Sequence, residues 1–112
     1  MFKYYLTYQF AVGFHRACGS LPLEHVRKES LLRSAETMIH QFATAIRATD
    51  PKDELKHLCV ALLCVRDCKE TLDEAGVKSQ EVFSKYEVLH QRLEQICMKA
   101  SECEGGQLRM LG

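Results

Sequence analysis

A run of apolar residues in the middle of the chain constrains the fold more than any other feature. It spans residues 55–65, and from Leu58 to Val65 it presents apolar side chains on nearly every side of a helix. A helix on the surface of a monomer needs only one apolar stripe a little over ~100° wide. A chain of 112 residues has too little protein to wrap such a helix completely. We therefore expect part of the run to contact a second copy of the chain, and the predicted interface residues are Leu58, Leu62, Leu63 and Val65.

Composition places the chain among ordinary globular proteins of one domain. Hydrophobic residues make up 46% of the chain and charged residues 27%, which argues against disorder. Lys and Arg together number 15, as do Asp and Glu, so the formal net charge is zero. That balance disfavours a dedicated nucleic-acid coat, although a local basic patch repeated by symmetry remains open.

The chain is expected to work in the cytoplasm. No stretch approaches ~18 consecutive apolar residues, so no transmembrane helix is predicted. The first eight residues carry polar side chains at helical spacing and lack a cleavage-site pattern, so we expect no signal peptide. Six cysteines without an export signal, set among apolar neighbours, are expected to be free and buried thiols.

Apolar periodicity predicts four helices, at about residues 2–18, 23–48, 51–75 and 79–103. The predicted inward stripe of the first helix is Leu6, Phe10, Phe14 and Cys18, and the second helix is predicted to bury a face that begins at Val26. The predicted helix ends rest on left-handed Gly19 and Gly76, on the N-caps Asp50 and Ser79, and on Pro22 and Pro51 in first turns. Short connections favour an all-α, up-down-up-down antiparallel four-helix bundle over residues 1–104, with a flexible C-terminal tail over residues 105–112.

The cysteines invite a metal-site hypothesis, which the spacing does not favour. His57, Cys59, Cys64 and Cys68 lie within twelve residues, but the chain has no C-x-x-C knuckle. Cys59 and Cys64 also diverge by about 140° around a helix. Buried packing thiols are the favoured interpretation, and a metal-binding or redox bundle is the weaker alternative.

No other motif points to catalysis. A di-iron bundle requires Glu-x-x-His pairs on two helices with further glutamates facing inward, and we expect Glu87 and His90, which have that spacing, to be a solvated pair instead. The chain has neither a G-x-S-x-G elbow nor a glycine-rich phosphate loop. We therefore expect a non-enzymatic protein without a cofactor or a small-molecule substrate.

The basic residues near the first turn form the candidate nucleic-acid site. The end of the first helix and the start of the second meet at one end of the predicted bundle, and the third helix extends toward it. In a ring of identical subunits, a few cations per chain would form a continuous collar for phosphates. The candidate residues are Arg16, His25, Arg27, Lys28, Arg33, Arg66 and Lys69.

The pattern as a whole resembles one bacterial family. The resemblance rests on Tyr8-Gln-Phe-Ala-Val, on Leu21-Pro22, on Leu31-Leu32-Arg33-Ser34-Ala35 and on the run from Leu58 to Leu63. The family comprises four-helix-bundle proteins encoded in intervening sequences of 23S ribosomal RNA genes. It includes the accessory variability determinant (Avd) proteins of diversity-generating retroelements.

The resemblance implies a non-enzymatic homo-oligomer, with a pentamer favoured, that binds nucleic acid or a reverse transcriptase. It also implies that a basic surface of the ring helps a reverse transcriptase handle its RNA template. A protein–protein interaction scaffold without nucleic-acid binding is the alternative function.

Overall fold

The protein is described from a computed structural model, which covers the backbone of residues 4–111 and the side chains of residues 4–102. Within that part of the chain there are four α-helices and no strand. The helices are α1 (Tyr5–Gly19), α2 (His25–Arg47), α3 (Pro51–Glu74) and α4 (Gln80–Leu111). The all-α class predicted from periodicity is therefore confirmed.

Each helix packs on its neighbours in the chain, and α4 closes the bundle against α1. Within the described residues, the diagonal pairs α1/α3 and α2/α4 make no close backbone contact, and α2/α3 is the most extensive pair. This is the arrangement of an antiparallel four-helix bundle. It places the end of α1, the start of α2, the end of α3 and the start of α4 together at one end of the molecule.

Local signals set most of the helix ends as predicted. Asp50 caps α3 with its Oδ1, which accepts a bond of 3.2 Å from the Lys52 N–H, and Pro51 occupies the first turn. Ser79 caps α4, and its Oγ accepts a bond of 3.3 Å from the Val82 N–H. Gly76 follows α3 with φ 69°, and the next residue, Val77, donates its N–H to the Leu72 carbonyl at 3.1 Å. Together with the bond of 3.1 Å that the Gly76 N–H donates to the Asp73 carbonyl, this bond forms the Schellman motif that ends many helices.

The first connection differs from its prediction. Gly19 is the last residue of α1 and not a left-handed stop, because the described glycine with positive φ is Gly76. Pro22 lies in the connection, because α2 begins only at His25. The α4 backbone runs on to Leu111, beyond the predicted end at residue 103. Residues 2 and 3 of the first predicted helix and the side chains of the predicted tail lie outside the described residues, and the flexibility of that tail stays a prediction.

The core is one cluster of buried side chains at the centre of the four helices. The buried face of α1 is rotated from the predicted stripe, since Thr7, Ala11, Phe14 and Cys18 are buried while Leu6 is 53% exposed. Val26 of α2 is 68% exposed and does not belong to the buried face. The large, fully buried side chains of the core include Phe14, Leu31, Met38, Phe42, Leu58, Val65, Leu72, Leu89 and Leu93.

Candidate functional site

Most of the predicted basic residues lie near one end of the bundle, where α1 ends and α2 begins. Arg27 connects α2 to α3 at that end, because its Nη1 donates a bond of 2.9 Å to the Glu74 carbonyl oxygen in the last turn of α3. Arg16 and Lys28 lie on α1 and α2 at the same end. No carboxylate pairs with either of these two side chains within the described part of the chain. Of the predicted basic residues, Arg16 and Lys28 are therefore the most available to bind a phosphate.

Two further α2 side chains of the predicted set, Arg33 and His25, share one carboxylate. The Arg33 Nη2 lies 3.5 Å from the Glu29 Oε1, and the His25 Nε2 lies 3.6 Å from the Glu29 Oε2. All three side chains are largely exposed, and exposed ion pairs are individually weak. A phosphate could therefore replace Glu29 as the partner, but Glu29 reduces the local positive potential.

The basic residues of α3, Arg66 and Lys69, lie on the side of α3 that faces α4, and both already have interaction partners. Arg66 donates from Nη2 to the Glu94 Oε2 at 3.3 Å and from Nε to the His90 Nε2 at 3.2 Å. The His90 Nε2 must be unprotonated to accept that bond. Arg66 thus lies across the α3/α4 surface.

Lys69 is paired within α3 and lies against an aromatic ring of α4. Its Nζ lies 2.7 Å from the Asp73 Oδ2 and 5.5 Å from the centre of the Phe83 ring. The hydrogen bond with Asp73 raises the pKa of Lys69. Arg66 and Lys69 therefore have carboxylate partners, which Arg16 and Lys28 lack, and their membership of one basic patch stays a prediction.

The predicted interface residues divide into two groups. Leu58 and Val65 are completely buried inside the single chain, so they cannot contact a partner while the chain is folded. This corrects the prediction for these two positions. The reason is the helical repeat of about 100° per residue, which places residues 58, 61 and 65 on the inward face. Leu62 is half-buried beside α4, and Leu63 points outward and is 57% exposed.

A groove between α1 and α4 was not predicted from the sequence. It holds about 720 Å³ and is lined in part by Thr7, Arg92, Ile96 and Met98. The Arg92 Nε donates a bond of 3.1 Å to the Thr7 Oγ1, and the Arg92 guanidinium lies 5.2 Å from the centre of the Phe10 ring. The rotation of α1 accounts for the groove, because it turns Leu6 outward and brings Thr7 to α4.

A second, smaller groove of about 370 Å³ lies between α3 and α4. Leu55, Leu62 and Met98 give it apolar walls, and the paired Arg66 and Glu94 close it toward the middle of the bundle. Cys59 and Cys97 also line it. The two grooves share Met98, which is 58% exposed.

The cysteines do not gather around a candidate metal ion. Between residues 4 and 102, no group of three or more His, Cys, Asp or Glu side chains has an arrangement that could hold one. His57 contacts α2 instead, since its Nδ1 lies 2.6 Å from the Gln41 Oε1.

Burial raises the pKa of four of the described thiols, Cys64 among them, and so favours their neutral form. Burial raises the pKa of Cys18 and that of Cys97 to about 12, and it raises that of Cys68 further. Cys59 departs from the prediction of buried thiols, because it is exposed. Buried thiols of this kind pack as small apolar groups and are poor nucleophiles.

Across the described residues, the structure has no helix with the length and apolar character needed to span a bilayer. No protein-family model matches the chain, and no curated protein or solved structure is detectably similar to it.

Proposed function

We propose that this chain is a non-enzymatic accessory protein of the cytoplasm that assembles with copies of itself and binds a macromolecular partner. The observation that carries the proposal is the exposure of apolar side chains around a core that is already complete. Leu63 is 57% exposed at the middle of α3, next to the exposed Cys59. Apolar side chains exposed together favour protein contacts.

The favoured partner is a nucleic acid, a reverse transcriptase or both, and the favoured assembly is a pentamer. These choices rest on the family resemblance, and Arg16 and Lys28 provide unpaired cations for phosphates. In a ring, each copy would add the same two cations to one collar. Because phosphate affinity grows with the number of neutralised phosphates, that repetition would compensate for the zero net charge.

Self-assembly is tested by light scattering on the full chain at micromolar concentration, with Leu63→Glu as the interface variant. We expect an oligomer for the natural chain and a smaller species for the variant. Val88→Glu is the matched control, because Val88 is an aliphatic residue on α4 with 42% exposure. A monomeric natural chain, or equal dissociation of both variants, contradicts the role of Leu63.

Nucleic-acid binding is tested by fluorescence anisotropy with a structured RNA at low and at higher salt. We expect binding that weakens steeply with salt and that falls in an Arg16→Glu, Lys28→Glu double variant. An Arg47→Glu, Lys52→Glu double variant is the charge-matched control, because Arg47 lies in the last turn of α2 and Lys52 in the first turn of α3, at the opposite end. Copurification with a retroelement reverse transcriptase tests the protein partner.

A protein–protein scaffold without nucleic-acid binding is the second candidate. The pairing of Arg33, Arg66 and Lys69 with carboxylates favours it, since these cations are already neutralised. Absence of RNA binding at low salt by a chain that still assembles would select this second function.

A further inference from the structure

Cys59 and Cys97 face each other across the α3/α4 groove, although 38 residues separate them in the chain. Arg66 of α3 bonds His90 of α4, and in antiparallel helices the residues seven positions before Arg66 and seven after His90, about two turns away, are again opposite each other: they are Cys59 and Cys97. The register at this place is fixed by the Arg66–Glu94 ion pair, which lines the same groove with an N–O distance of 3.3 Å. Two thiols on adjacent helices are therefore held side by side.

The two thiols differ in access to solvent. Cys59 is exposed, while Cys97 is only 7% exposed. A small disulfide in solution therefore reaches Cys59 first. Cys97, on the other helix of the same groove, is then the second thiol that can resolve a mixed disulfide.

The other described cysteines lack this combination. Cys18 and Cys68 are completely buried in the core, where no reagent reaches them. Cys64 follows His57 by two helical turns, so it lies on the flank of α3 that faces Gln41 of α2 and not on the α4 flank. The pair is thus set apart by its geometry.

We propose that Cys59 and Cys97 form a thiol–disulfide exchange site, whose reactant is a low-molecular-weight disulfide such as oxidised glutathione. The Cys59 thiolate attacks one sulfur of oxidised glutathione, forms a mixed disulfide and releases one reduced glutathione as thiolate. The Cys97 thiol then loses its proton and attacks the Cys59 sulfur, which displaces the second glutathione. The net products are one intramolecular disulfide and two reduced glutathione molecules, so the two protein thiols are oxidised and the glutathione disulfide is reduced.

The second step is expected to be the slow one. Burial raises the pKa of Cys97 to about 12, and the neighbouring Cys59 and Glu94 act in the same direction, while Arg66 opposes them. Only the thiolate attacks a disulfide, so a buried neutral thiol resolves slowly. The mixed disulfide at Cys59 should therefore appear before the intramolecular disulfide.

The bond would connect α3 to α4 covalently across the groove. Leu62 and Met98, which line that groove, would then be held at a fixed separation. The site is independent of the proposed binding of nucleic acid, since neither cysteine belongs to the basic end of the bundle.

The test is peptide mapping of the reduced, full-length chain after incubation with oxidised glutathione under native conditions. Remaining thiols are alkylated, the chain is digested without reductant, and thiols are counted in parallel. We expect the free thiol count to fall from six by two, with one cross-linked peptide that joins Cys59 to Cys97 within one chain. Once the thiol count no longer changes with time, a map in which Cys59 retains glutathione only, or in which the disulfide joins two chains or involves another cysteine, overturns the proposal.

Variants separate the two steps. Cys59→Ser should lose no thiol pair, while Cys97→Ala should stop at one glutathione on Cys59. Cys64→Ser is the matched control and should form the same cross-link as the natural chain. Should Cys97→Ala fail to fold, judged by circular dichroism, the peptide map of the natural chain decides the question alone.

Discussion

Neighbouring side chains of the apolar run in α3 have opposite surroundings, and this difference governs what each residue does. Leu58 is completely buried, whereas Leu63 is 57% exposed. Deleting a buried Leu side chain removes its transfer free energy and leaves a cavity. The same deletion at an exposed position removes little, so the run contains both a folding determinant and a surface determinant.

Leu58→Ala is expected to lower the free energy of unfolding by about 2–5 kcal/mol. Leu63→Ala is expected to change the free energy of unfolding of the monomer by less than about 0.5 kcal/mol. Urea unfolding at concentrations where the chain is monomeric measures both. Equal losses for the two variants would contradict the inward and outward assignment.

Burial of the thiols predicts a loss of stability at alkaline pH. The folded-state pKa of Cys18 and that of Cys97 rise to about 12 from the ordinary value of 9.0. Between these values the unfolded chain has lost protons that the folded chain keeps, so the free energy of unfolding falls as pH rises. Each such thiol contributes up to about 1.4 kcal/mol per pH unit.

Urea unfolding from about pH 8 to about pH 10 tests this prediction. Cys18→Ala should be less stable throughout, because it leaves a cavity, but its stability should fall less steeply with pH. A slope that does not differ between Cys18→Ala and the natural chain would exclude a contribution from this thiol.

Among the helices, the ends of α3 agree best with the local sequence signals, and the buried face of α1 agrees least with its apolar pattern. The ends of α3 could be predicted because caps and stops act locally: Asp50, Pro51 and Gly76 need only their immediate neighbours. The orientation of α1 could not, because apolar side chains occur on more than one of its faces. Thr7 enters the core through Arg92, which is 85 residues away in the chain, and no local pattern indicates that contact.

The candidate site was predictable to a smaller extent than the fold. The sequence indicated which cations gather near the first turn, because their helix ends are joined there. It did not indicate the carboxylate partners, such as Glu94 for Arg66, since they lie on another helix. The Cys59–Cys97 pair was missed for the same reason, because only the register of α3 on α4 brings the thiols together.

Two glycines should respond oppositely to replacement by alanine. Gly76 has φ 69°, a conformation that costs an L-residue about 1–2 kcal/mol, so Gly76→Ala should destabilise the protein by that amount. Gly13 lies inside α1, and a Cβ there would meet no atom within 4 Å. Gly13→Ala should therefore stabilise the protein by about 0.5–1 kcal/mol.

Thermal unfolding of the two glycine variants beside the natural chain measures these effects. Both variants add the same methyl group, so changes in stability of opposite sign must come from the backbone conformation at each glycine. A stabilised Gly76→Ala variant would exclude the left-handed stop.

At the scale of the whole molecule, α1 and α4 depend on side chains for their association, because no loop joins them. Arg92 donates to the buried Thr7 hydroxyl and covers the Phe10 ring. Removing Arg92 leaves that hydroxyl without its partner, which costs about 1–3 kcal/mol.

We expect Arg92→Met to destabilise the protein and to speed hydrogen exchange of the α1 amides more than that of the α2 amides. Thr7→Val in the Arg92→Met background should recover part of the loss, because it removes the unpaired hydroxyl. A double-mutant cycle of the two positions measures their coupling. Simple additivity of the two substitutions would show that the bond contributes nothing.

The three connections of the bundle link α1 to α2, α2 to α3 and α3 to α4. Of the four pairs of adjacent helices, α1/α4 is therefore the pair that no loop connects. The first and last helices can swing apart there while the α2/α3 pair stays intact. Fraying should start along that edge and spread inward. We therefore expect the amides that face this edge to exchange with solvent before those between α2 and α3.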